Sequence, residues 1–95
     1  MATNEPTLLE MVVRYLNRYV NLTVNENELL GHLLESKYLV YNPDGSIYTV
    51  VFKQYKTLLK RNGYISYAKE NPTIHVHKRI PKKISLKKLR KEKIN

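Results

Sequence analysis

Near the start of the chain, Leu8, Met11, Val12, Tyr15, Leu16 and Tyr19 recur at steps of three and four, with Glu10, Arg14, Asn17 and Arg18 on the opposite side. That period is an amphipathic helix and predicts α-structure over about residues 6–20. Pro6 suits its first turn, where the missing N–H is not needed, with Asn4 or Thr3 as the cap. The segment Leu22-Thr-Val24 is short and β-favouring. Asn25 and Glu28 then have the spacing of a cap with a carboxylate reaching back to it, and Leu29, Leu30, Leu33 and Leu34 carry a second helix over about residues 25–36. So short a connection implies antiparallel or crossed packing. Further along, Lys60-Arg-Asn-Gly63 reads as a helix C-terminus, with cations at the carbonyl end and a glycine for the left-handed cap. Residues 64–68 and 73–77 alternate around Lys69-Glu-Asn-Pro72. They predict a hairpin with Ile65, Tyr67, Ile74 and Val76 on one face.

The middle of the chain supports two readings. Asn42-Pro-Asp-Gly45 between residues 37–41 and 46–51 has the grammar of a hairpin turn. Read instead as one helix from Ser46 to the Gly63 stop, the segment puts Tyr48, Phe52, Tyr55 and Leu59 on one face, with Val51, Leu58 and Asn62 alongside. Thr49, Lys53, Lys56, Thr57 and Lys60 then form a polar, basic stripe. The strand reading offers no such partition beyond Val51, so the helix reading is preferred, with Ser46 as its cap.

Charge sharpens this outline. The 95-residue chain carries a formal +9, and the charge is uneven. Residues 1–77 hold eight Lys/Arg against seven Asp/Glu, whereas residues 78–95 hold nine Lys/Arg against Glu92 alone. A nearly balanced domain over residues 1–79 is therefore expected to carry a basic tail over residues 80–95, disordered or a short helix capped at Ser85. A marginal stripe of Leu86 and Leu89 would not hold that helix in water alone. A polyanion is the natural partner, nucleic acid ahead of an anionic membrane surface. There is no cysteine, no long apolar run and no basic leader, which points to a soluble cytoplasmic protein.

Helix, short extended segment, helix, turn, helix, hairpin is an order that resembles the winged helix-turn-helix family. The match is most specific at Leu59-Lys-Arg-Asn-Gly-Tyr-Ile65, where the last helix runs into the first strand of the wing. Gly45-Ser-Ile-Tyr48 is also similar to the entry of the recognition helix in PadR-like regulators. Its distance to Gly63 is about a turn longer than in that branch, and small winged-helix proteins of archaeal plasmids and viruses are closer in size and composition. The resemblance implies an α+β fold of three helices followed by a two-stranded wing. It also implies that the third helix reads the major groove.

On that basis Ser46, Tyr48, Thr49, Lys53 and Gln54 are candidates for base or near-base contact, since glutamine suits adenine and lysine reaches guanine acceptors. Thr57 lies on the same stripe. Lys56, Lys60 and Arg61, with Lys69 at the wing tip and Lys78 and Arg79 at its exit, are candidates for phosphate contact. Lys82 and Lys83 begin a salt-sensitive arm that is also able to serve a further protein partner. Leu8, Val12, Tyr15 and Tyr19 are candidates for a homodimer surface that pairs half-sites. The expected function is sequence-specific binding of double-stranded DNA by a dimeric transcriptional regulator. The alternatives are a plasmid-partition or architectural protein that spreads along DNA, and a protein-interaction module with a basic tail.

Neither a metal site nor a cofactor is expected. His75 and His77 share a strand face, but a bare hairpin surface explains them. No nucleophile turn, glycine-rich phosphate loop or placed carboxylate pair suggests catalysis.

Overall fold

A computed structural model describes residues 6–68, 70–82 and 84–91. These residues form a small α+β unit of four helices and one three-stranded antiparallel sheet. Helix α1 spans Leu8–Asn17, strand β1 Thr23–Asn25, helix α2 Glu26–Glu35, helix α3 Val50–Arg61, strand β2 Ile65–Ala68, strand β3 Thr73–Val76 and helix α4 Leu86–Lys91.

Helix α1 begins later than its apolar period suggests. Thr7 is the cap: its hydroxyl accepts from Glu10 N (3.2 Å), while the Glu10 carboxylate accepts from Thr7 N (2.9 Å). This reciprocal box leaves Pro6 outside the helix. The helix ends at Asn17, and the chain turns through Asn21 at φ 70°. The buried stripe is Leu9, Val12, Val13 and Leu16, with Leu8, Met11, Tyr15 and Tyr19 on its rim. Helix α2 starts as its sequence indicates, with the Asn25 side chain accepting from Asn27 N (2.8 Å) and Glu28 N (3.4 Å). It closes with Lys37 N donating to Leu34 O and Tyr38 N to Leu33 O, a closure that puts Lys37 at φ 66°.

Three expectations are corrected here. The sheet has a third strand: β1 pairs with β3 (Val24 opposite Ile74), giving the order β1-β3-β2. The hairpin keeps its expected faces, with Ile65, Ile74 and Val76 buried and Tyr67 against the core.

The second correction concerns residues 38–49, where both sequence readings are partly realised. Asn42-Pro-Asp-Gly45 is a tight turn, with Gly45 N donating to Asn42 O and Gly45 at φ 92°. Asn42 N donates to Ser46 O, Tyr48 N donates to Val40 O, and Tyr41 bridges Ile47. Ser46 therefore belongs to a minimal hairpin arm and is not the cap of α3. The helix begins at Val50 and buries Phe52, Tyr55, Leu58 and Leu59. At its other end Gly63 takes φ 83°, and Tyr64 N donates to Leu59 O, as the Asn-Gly stop requires.

The third correction concerns the basic segment after β3, which does not stand apart from the folded unit. Ile80, Ile84 and Leu89 are buried in the common core. Asn17 grips this segment at both polar atoms of the Ile80 backbone, with Nδ2 donating to Ile80 O (2.9 Å) and Ile80 N donating to Oδ1 (2.8 Å). Ser85 caps α4 through Lys88 N, and Asn62 Nδ2 donates to Leu89 O (3.0 Å), pinning α4 against α3. A helix too weak to stand alone is held by packing.

Candidate nucleic-acid interface

Because α3 buries Phe52, Tyr55, Leu58 and Leu59, the residues between them, apart from half-buried Lys56, are turned outward. Lys53, Gln54, Thr57, Lys60 and Arg61 are exposed and form a ridge along the helix. Two shallow grooves flank it. One, about 390 Å³, lies toward α4 and is lined by Lys53, Gln54, Thr57, Leu58 and Arg90. The other, about 380 Å³, lies toward the sheet and is lined by Lys53, Lys56, Thr57, Tyr67, Ala68 and Pro72, with Glu26. Lys53 and Thr57 border both, so they form the crest. The Thr57 hydroxyl donates to Lys53 O (3.0 Å), which leaves its lone pairs outward.

The other candidates fall into distinct groups. Lys56 is half-buried: Nζ lies 2.7 Å from Glu26 Oε1 and 4.4 Å from the Tyr67 ring centre. These contacts join α3 to α2 and β2, and its ammonium is already paired with a carboxylate. Lys60 also lies over Tyr67, at 5.0 Å, but stays exposed. Among the described residues Lys56–Glu26 is the one ion pair, so Lys53, Lys60, Arg61 and Arg90 have no carboxylate there neutralising them. Thr49 stands at the cap position of α3 without a side-chain capping bond. Tyr48 is exposed (42%) instead of lying in the core.

The Ser46 hydroxyl donates to Asp44 Oδ1 (2.6 Å) and accepts from Asn42 Nδ2 (2.9 Å), so it is spent on the turn. Those bonds from Ser46 hold the Asp44 carboxyl below the usual range. Burial pushes the Tyr55 hydroxyl up, as expected for a ring anchored under the helix.

At the exit of the hairpin, Lys78 lies 5.1 Å from the Tyr64 ring centre. Arg79 and Lys82 turn away from the ridge to a separate cleft against α1. Lys69 and Lys83 lie outside the described residues. Val12 is 1% exposed and is a core residue, not part of a dimer surface. Tyr15 packs within the chain in tilted contacts, its ring 5.4 Å from Tyr19 and 5.5 Å from His32, and burial raises its hydroxyl pKa.

On the sheet surface the His75 and His77 rings lie 4.9 Å apart, His75 against the Thr23 hydroxyl and His77 against Ser66. No group of three or more potential metal ligands occurs among the described residues. No helix there is long and apolar enough to cross a membrane.

Sequence reasoning did not single out Arg90. Its signal was the Ser85 cap with Leu86 and Leu89, a pattern that says a helix forms but not what it docks against. No protein-family model matches the chain, and neither the curated proteins nor the solved structures contain a match to it.

Proposed function

We propose that this chain is a double-stranded DNA-binding domain of winged-helix type, acting as a transcriptional regulator. In this reading α3 lies in the major groove, the β2–β3 hairpin is the wing, and α4 flanks the groove edge. The observation that carries it is the α3 ridge. Its inner face is locked in the core, whereas its outer face presents Lys53, Gln54, Lys60 and Arg61 with no carboxylate of the described residues against them.

An α-helix with its side chains is about 10–12 Å across and the major groove is about 12 Å wide, so the exposed ridge of α3 is of a size to enter it. Lys53 and Gln54, in the first turns, have the reach and donors for base edges. Lys60, Arg61 and Arg90 suit phosphates, which fix register without reading sequence. Fluorescence anisotropy against a random-duplex pool across a salt series, followed by selection from that pool, tests this. Salt-dependent binding with an enriched motif is expected, and no binding at low salt would overturn it.

A further inference from the structure

We propose that the cleft between α1 and the segment after β3 is a second anion site, built for a ligand bearing two linked phosphates. This proposal does not depend on the reading of α3. The cleft has a volume of about 590 Å³ and shares no lining residue with either groove beside α3. Arg14, Arg18, Arg79 and Lys82 line it with Glu10 and Asn17.

Arg14 on α1 and Arg18 at its C-cap are four residues apart, which places both on the same side of the helix. Arg79 and Lys82 approach from the opposite wall. The two walls are tied together by the reciprocal Asn17–Ile80 hydrogen bonds, which fix the backbones from which the four exposed cationic side chains extend. The single carboxylate, Glu10, is engaged with Thr7 N in the helix cap, and among the described residues none of the four cations is in an ion pair.

Four cations against one carboxylate leave a net lining charge of +3. One ligand carboxylate would leave most of that charge unbalanced, whereas a diphosphate matches it. Guanidinium forks also fit phosphoryl oxygens in bidentate fashion. The volume accommodates a nucleotide-sized molecule, and adjacent phosphates of a nucleic-acid backbone present related chemistry.

The probe is inorganic pyrophosphate, titrated at low salt by calorimetry and by amide chemical-shift mapping. Saturable binding with a Kd of about 0.1 mM or tighter is expected. The largest shifts should fall at Arg14, Arg18 and Arg79. Arg14→Ala/Arg79→Ala should bind at least about tenfold more weakly, while Lys37→Ala, outside the cleft, binds as wild type. Repeating the titration with and without an excess of short random duplex separates the sources. Abolished pyrophosphate binding assigns the cleft to the DNA backbone, and retained binding assigns it to a free phosphorylated molecule. No saturable binding, or shifts confined to α3, would overturn the proposal. The shift map is read on the wild-type protein and so holds even if the double variant folds poorly.

Discussion

Lys56 Nζ lies 2.7 Å from Glu26 Oε1, and both side chains are mostly withdrawn from solvent, at 14% and 16% exposure. This contact ties α3 to the start of α2, while the Tyr67 ring beneath the ammonium ties both to β2. A cation on an exposed reading face would make itself felt in the salt dependence of binding, but a half-buried one is needed for the fold.

Lys56→Ala should therefore lower stability by about 1–3 kcal/mol, because it strands Glu26 in a partly desolvated site. Lys56→Ala/Glu26→Gln should recover part of that loss. Denaturant melts of the two variants and the wild type measure the coupling. Affinity for random duplex, measured on the folded fraction, should change little in comparison.

Leu89 is fully buried, whereas its neighbours Lys87, Lys88 and Arg90 are exposed. Leu89→Ala should cost about 2–4 kcal/mol by opening a cavity between α4 and α3. Neutralising Lys87, Lys88 and Arg90 to Gln should leave the thermal midpoint nearly unchanged. It should also flatten the dependence of log K on log salt, by about 0.9 for each DNA phosphate no longer neutralised. Deleting residues 82–95 would confuse the two effects, since it removes Ile84 and Leu89 along with the charge.

Lys37 closes α2 in the left-handed region at φ 66°, where a side chain is strained. Lys37→Gly should raise stability by roughly 0.5–1 kcal/mol, the relief of strain exceeding the added freedom of the unfolded chain. Lys37→Val at the same position should destabilise. Urea midpoints of both variants decide it.

Asp44 accepts from both the Ser46 hydroxyl and the Ser46 amide, and its folded-state pKa is lowered. A depressed carboxyl pKa means that the turn is favoured above the unfolded Asp value of about 3.9 and loses that support as pH falls through the lower folded value. NMR titration of the Asp44 carboxyl should show the depressed midpoint, and Ser46→Ala should move it back toward about 3.9.

What the sequence revealed was chiefly what is local. The Asn25 cap, the Gly63 stop and the two faces of the β2–β3 hairpin each follow from a few neighbouring residues. The start of α3 did not follow, because Asn42-Pro-Asp-Gly45 serves a tight turn in either reading. The outcome rested on the short Tyr41–Ile47 pairing and the backbone bonds beside it, which no periodicity marks.

Long-range features were likewise out of reach. Lys56 finds Glu26 thirty residues away, and Asn17 finds Ile80 sixty-three residues away. In sequence, Lys56 is one more cation on a stripe, and Ile80 is one apolar residue beside a basic run. The basic ridge was legible at Lys53, Thr57 and Lys60, because helical spacing alone separates them from Phe52, Tyr55 and Leu59, but the same spacing put Lys56 on the stripe although it turns to Glu26. Arg90 joined that ridge only through the docking of α4.

Lys53 bears the central claim, because it stands on the crest of α3, borders both grooves and has no carboxylate partner among the described residues. The direct measurement compares wild type with Lys53→Ala on the duplex selected from the random pool and on a scrambled duplex of equal length, at one salt concentration. Base reading by α3 predicts a loss of about 1–3 kcal/mol on the selected duplex and a clearly smaller loss on the scrambled one. Equal losses on the two duplexes would contradict it.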